Sequence, residues 1–234
     1  MIFDLIKAFS TGDAEALKWA VASLLLSLPI IILALSIHET AHGFVAYKLG
    51  DPTARNLGRL SLNPIKHLDP IGFLCMVAFR FGWAKPVPIN TRYFKKPKRD
   101  MMLSAIAGPL SNILLAFVFG GLLKLFFVVL GLGVIPIQNQ LTYNLIYFGE
   151  ILLILGVQLN VMFAIFNLLP IPPLDGSKIL YMFLPSKVLY KFLEYERYIS
   201  LVLLILLASG VLSKPLSIIS NLLINLIYFI FQII

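Results

Sequence analysis

The sequence predicts an all-α polytopic membrane protein, and three observations carry that reading. The chain is 59% hydrophobic and only 13% charged, with a mean hydropathy of +0.93, a composition foreign to ordinary soluble domains. Uncharged apolar runs of transmembrane length recur along its 234 residues. The charge is also segregated: ten of the 19 Lys and Arg residues fall between positions 51 and 100, against three acids. That is the pattern of a cytoplasmic loop under the positive-inside rule, in contact with anionic lipid. A net charge of +8 distributed in this way argues against a nucleic-acid partner. The whole chain, 1–234, reads as one membrane-embedded domain, too short and too apolar to include a separate soluble one.

The elements follow in order. Thr11-Gly12-Asp13 is a break, and Asp13 is placed to cap the helix that follows. From Trp19 to Ile37 there is no charge, which at 1.5 Å per residue is about 28 Å, one hydrocarbon thickness. This helix, 18–49, ends at Gly50-Asp51-Pro52. Residues 54–93 hold many prolines and glycines around a short apolar piece at 71–81. An apolar stretch of this length is more often re-entrant than spanning, so the region reads as a re-entrant, β-hairpin-like loop. Spans are expected at 102–130 and 142–168. Two further segments are expected within 198–234, the first of them short. The count is about five spans, or four if that short segment does not cross. Lys124 and Glu150 fall at similar depth on antiparallel neighbours, where a lone charge is expensive, and they are expected to pair.

The chemistry concentrates at His38-Glu39-Thr40-Ala41-His42. On a helix His38 and His42 lie one turn apart on one face, so two imidazole nitrogens can share one ion. Glu39 is offset around the helix and need not ligate; it can take a proton from water at the metal. The competing reading is a chance pair of packed histidines. An ionisable cluster at the end of a membrane helix weighs against it, because such groups are costly to keep there. A catalytic zinc usually has three protein ligands. The remaining histidine, His67, lies in the basic loop and reads as a loop or interfacial residue. Asp175, in the 167–176 stretch Asn167-Leu-Leu-Pro-Ile-Pro-Pro-Leu-Asp175-Gly176, is the other candidate. Pro170, Pro172 and Pro173 forbid regular helix there. From the residues alone Asp175 reads equally as a third ligand or as the N-cap of a following helix.

H-E-x-x-H in a first long helix, paired with N-x-x-P-x-P-P-L-D-G in a later one, resembles the site-2 proteases, the intramembrane zinc metalloproteases of the M50 peptidase group. Further matches lie between the two, at Ser61-Leu-Asn63-Pro64 through His67-Leu-Asp69-Pro70-Ile-Gly72, at Gly82-Trp83-Ala84-Lys85-Pro86-Val87-Pro88, and at Ala107-Gly108-Pro109-Leu-Ser-Asn112. The resemblance covers residues 20–185 and is to the compact prokaryotic branch without a PDZ or CBS domain. It implies one Zn2+ held by His38, His42 and Asp175, with Glu39 as general base. It also implies cleavage of a transmembrane-helix protein substrate from the cytoplasmic side of a prokaryotic cell membrane. Asn167 and Asn112 are polar groups in apolar surroundings; each reads as substrate or site support, or as an interhelical hydrogen bond. Gly108-Pro109 reads as helix start and packing. Two other readings stay open: a non-catalytic membrane interaction protein that keeps the fold, and a membrane-anchored zincin acting on soluble peptides.

Overall fold

The computed structural model describes residues 9–79, 82–136 and 139–233. Helix α1 runs Ala14–Lys48. Its start is set by Asp13, whose carboxylate accepts the Ala16 N–H at 3.0 Å, satisfying one of the unpaired donors of the first turn. Pro29 lies inside the helix without ending it. The stop comes at Gly50, whose φ of +110° suits a residue without a Cβ. The buried Asp51 then accepts the Thr53 N–H at 2.9 Å and the Asn90 N–H at 2.7 Å. It ties the exit of α1 to a segment 39 residues further on.

Helix α2, Thr53–Asn56, and a 3-10 turn at Pro64–Lys66 follow. The expected β-hairpin-like loop is not formed: no strand occurs among the described residues, and the apolar piece is helix α3, Pro70–Phe79. Local chemistry explains the correction. The Asp69 carboxylate accepts the Gly72 N–H at 2.8 Å and its carbonyl accepts the Phe73 N–H at 2.8 Å, so a helix starts there, with proline in its first turn. Gly72 is required, because a Cβ would overlap the Trp83 carbonyl. What remains of the hairpin is one antiparallel bridge, Leu68 with Ala84, closed by Lys85 N–H on the His67 carbonyl at 2.8 Å. Beyond it Pro86 and Pro88 lack the N–H groups that would continue a ladder.

Helices α4, Pro97–Gly131, and α5, Gln140–Asn167, are the next two long elements. After a loop come α6, Asp175–Phe183, α7, Ser186–Glu194, α8, Glu196–Ala208, and α9, Ser213–Ile230. Four of these, α1, α4, α5 and α9, are long and apolar enough to cross a membrane. This is the lower of the two expected counts. The 13 residues of α8 reach about 20 Å, short of a hydrocarbon core of about 30 Å.

Helix α4 packs along both α1 and α5, and α9 packs on α5. The buried cluster joining α4, α5 and α9 is Ala116, Phe119, Val157, Val161, Ile224 and Ile227. Small residues let these helices approach, as is usual between membrane helices: a Cβ on Gly156 would overlap the Phe119 ring, and one on Gly120 would lie 2.7 Å from Ile227 Cγ2. Outside the bundle α4 exposes Leu110, Leu114, Val118, Leu122 and Leu125. That apolar stripe, at steps of three and four residues, is a lipid-facing one.

Lys124 does not pair with Glu150: no ion pair joins them among the described residues. Its ammonium donates instead to the Gln232 carbonyl at 2.8 Å, just beyond α9. The end of a helix leaves carbonyls without partners inside the helix, and a lysine donor is drawn to them.

Candidate metal centre

His38 and His42 lie on the buried side of α1, and Asp175 opens α6. Asp175 is the first helical residue, preceded by Leu174, so it is not the N-cap that one reading allowed. The loop ahead of it folds back until a Cβ on Gly176 would overlap the Leu168 and Leu169 carbonyls, so the position after Asp175 has to be glycine. The fold thereby brings together residues 137 apart in sequence. Asp175 Oδ2 lies 3.1 Å from His38 Nε2 and 3.0 Å from His42 Nε2, and the two Nε2 atoms are 3.0 Å apart. All three residues are buried, at 5–6% exposure.

The protonation of this cluster follows from its outer partners. His42 Nδ1 is 2.7 Å from the Ser104 carbonyl, which can only accept, so Nδ1 carries the proton. His38 Nδ1 is 2.5 Å from Asn112 Oδ1. The Asn112 amide nitrogen donates to Asn160 Oδ1 at 3.0 Å and faces the Ala34 carbonyl at 3.4 Å. That assigns Oδ1 as the acceptor and Nδ1 of His38 as the donor. Asn160 in turn donates to the Gly156 carbonyl at 2.8 Å. As neutral imidazoles, both then direct their Nε2 lone pairs at one another and at a carboxylate oxygen. Three converging lone pairs repel unless a cation lies among them. This donor set, two imidazoles anchored at their far nitrogens plus one carboxylate, fits a catalytic zinc.

Burial opposes ionisation of Asp175. The neighbouring imidazoles and the positive charge of Lys178 outweigh this and hold its carboxyl below the usual carboxylate range.

Glu39 is buried beside the cluster but is not part of it. Its Oε2 accepts the Val87 N–H at 2.8 Å. Val87 belongs to the extended stretch held from outside by Arg59, which donates to the Lys85 carbonyl at 2.7 Å and the Pro86 carbonyl at 3.2 Å. A Cβ on Gly43 would come within 3.0 Å of Val87 Cγ1, so the glycine after the second histidine lets this stretch close on α1.

The remaining expected residues divide. Asn112 makes an interhelical bond, and its partner is His38 of the cluster. Asn167 is half-buried, and its side chain donates at 3.0 Å to the Phe163 carbonyl of its own helix; the fold does not bring it to the imidazoles. His67 is fully buried, not interfacial. Its Nε2 is 2.6 Å from the Ser61 carbonyl and 3.4 Å from Thr40 Oγ1, and it clasps the basic loop to the motif helix. Two contributors were not anticipated, Asn160 and Lys178; Gly108-Pro109, expected at a helix start and in packing, lies inside α4, where Gly108 packs against the imidazoles. A Cβ on Gly108 would overlap His42 Nε2 and come within 2.7 Å of His38 Cε1. The available signal was the spacing Ser104, Gly108, Asn112, a small and polar stripe at four-residue steps on α4.

Comparison with known proteins gives the family. The family model described as Peptidase family M50 matches residues 26–209. A Bacillus subtilis protein named as a zinc metalloprotease, YwhC, is 43% identical over 176 residues, covering 75% of this chain and 77% of its own length. A similarly named Mycolicibacterium smegmatis protein, Rip2, is 27% identical over 75% of this chain and 67% of its own. A third, from Methanocaldococcus jannaschii, is 30% identical over 64% of this chain and 71% of its own. No solved structure matches. A family match spanning most of the chain, with a relative at 43% identity, makes this protein a member of peptidase family M50, an integral-membrane zinc metalloendopeptidase.

Proposed function

We propose that the protein is an intramembrane endopeptidase that hydrolyses peptide bonds within or next to the transmembrane segments of other membrane proteins. His38, His42 and Asp175 hold the zinc and Glu39 is the general base. The observation that carries the reading is the convergence of two imidazole Nε2 atoms and one carboxylate oxygen inside a helix bundle whose outer face is apolar. Zinc at such a site supplies Lewis-acid chemistry, polarising a carbonyl and lowering the pKa of water.

The chain's own residues supply the rest. Glu39 has one oxygen fixed by the Val87 N–H, which leaves the other to take a proton from the attacking water and pass it to the leaving amine. Asn112 and the Ser104 carbonyl hold the two imidazoles in the tautomer that presents Nε2. The stretch 85–90, which has no regular secondary structure, touches Glu39 through the Val87 N–H. A substrate helix unwound beside it offers its backbone to the site, whereas an intact helix shields its peptide bonds. The density of Lys and Arg at 51–100 supports a site opening toward the cytoplasm, with those residues against anionic lipid. A prokaryotic cell membrane is the setting that fits. The chain acts as one membrane-embedded unit with no nucleic-acid partner.

The reading is tested in proteoliposomes holding the enzyme and a single-span substrate whose helix carries a Gly-Pro break near the cytoplasmic interface. Wild type is expected to cut at the break, and Glu39→Gln is expected to bind the same substrate without cutting. Equal cutting by both would remove Glu39 from the chemistry.

A further inference from the structure

Asp175 gives its two oxygens to different partners. Oδ2 faces the imidazoles, 3.1 Å from His38 Nε2 and 3.0 Å from His42 Nε2. Oδ1 lies 3.0 Å from Lys178 Nζ. The two residues are three apart on α6, so one helical turn sets their spacing. The carboxylate is 7% exposed and the lysine side chain 33%. The ammonium therefore reaches in from the edge of the site to a buried acceptor. Its position is well determined, since Gly176 seats the start of α6 against the Leu168 and Leu169 carbonyls and Ser177 bonds back to the Leu174 carbonyl at 2.7 Å.

We propose that Lys178 is a positioning residue that restricts Asp175 to a single-oxygen metal ligand. The proposal rests on the zinc-site reading above. A carboxylate can offer a metal one oxygen or both. With Oδ1 committed to an ammonium, only Oδ2 is left to join the two Nε2 atoms. The protein then contributes three ligand atoms, and the fourth position of a tetrahedral site stays open for water or a substrate carbonyl. With Oδ1 released, the same side chain is able to chelate and crowd that position. Lys178 also balances the one negative charge among the ligands, so the charge of the ion is spent less on its own ligand set. The residue thus controls how many places the protein occupies, without itself touching the ion.

Cobalt(II) in place of zinc reads this directly and needs no substrate, because its visible d–d absorption is intense in four-coordinate sites and weak in five-coordinate ones. Lys178→Met removes the cation at similar length, and Lys178→Arg keeps a charged donor for Oδ1. Wild type and Lys178→Arg are expected to show intense bands. Lys178→Met is expected to take up as much cobalt with bands severalfold weaker. Lys178→Ala, measured in the same way, serves if the methionine variant does not fold. Bands of wild-type intensity in a cobalt-loaded Lys178→Met or Lys178→Ala protein would overturn the role of Lys178 and leave the site reading standing. Wild type that takes up no cobalt, or Asp175→Ala that takes it up with an unchanged spectrum, would overturn the site reading itself and the role of Lys178 with it.

Discussion

The Val87 backbone N–H donates to Glu39 Oε2 at 2.8 Å, joining the glutamate of the H-E-x-x-H motif to a residue 48 positions later. This contact gives the extended stretch after Trp83 a task that its side chains do not announce. Val87→Pro deletes the donor while keeping an extended backbone between two existing prolines. A hydrogen bond to a charged group is worth about 1.5–3 kcal/mol, so proteolysis is expected to fall by about 10- to 100-fold. Zinc content is expected to hold, because Glu39 is not a ligand. Zinc lost together with activity would mean that the stretch serves the fold and not the base.

Gly108 is the residue of α4 that leaves room for the imidazoles. A Cβ there would overlap His42 Nε2 and crowd His38 Cε1, and the rings can give way only by turning out of the cluster. Gly108→Ala is expected to abolish zinc binding while leaving the helix content by circular dichroism unchanged, since alanine is the better helix former. A Gly108→Ala protein with full zinc content would show that the histidines can be displaced without loss of the site.

Asn160 touches no ligand. It fixes the amide of Asn112, which holds His38. Loss of an outer-shell partner typically lowers metal affinity by about 10- to 100-fold. Asn160→Ala is expected to fall in that range when zinc is titrated against a competing chelator. An unchanged affinity would reduce the residue to packing between α4 and α5.

Substrate choice should follow helix stability. A single-span substrate with Gly-Pro near the cytoplasmic interface is expected to be cut faster than the same span made wholly of leucine, because leucine keeps its peptide bonds inside the helix. Equal or faster cutting of the leucine span, measured by initial rates in proteoliposomes, would contradict the requirement for unwinding.

Much of this was legible in the residues, and the failures have physical reasons. The shared face of His38 and His42 follows from helical periodicity, and hydropathy gives the long apolar helices, about five by expectation and four in the fold. Asp175 needed the paired motif, because an Asp before Gly is also ordinary turn and cap chemistry. The 70–79 helix was hidden by Pro70 and Gly72, which read as breakers. In the fold the proline sits in the first turn, where its missing N–H has no cost, and the glycine admits the Trp83 carbonyl. Asn160 gave no direction, since one amide in an apolar run points equally to any neighbour. Lys124 was assigned by depth to Glu150, but depth says nothing of rotation about the helix axis, and a helix-end carbonyl met it first.

His38, His42 and Asp175 are expected to hold one zinc ion, and the metal content of the purified protein reads this without any substrate. Wild type in detergent is measured beside His38→Ala/His42→Ala and Asp175→Ala. Wild type is expected to hold about one zinc per chain, the double histidine variant none, and the Asp175→Ala protein a strongly weakened site. Well-folded wild type without zinc, or an Asp175→Ala protein that holds it undiminished, would contradict it.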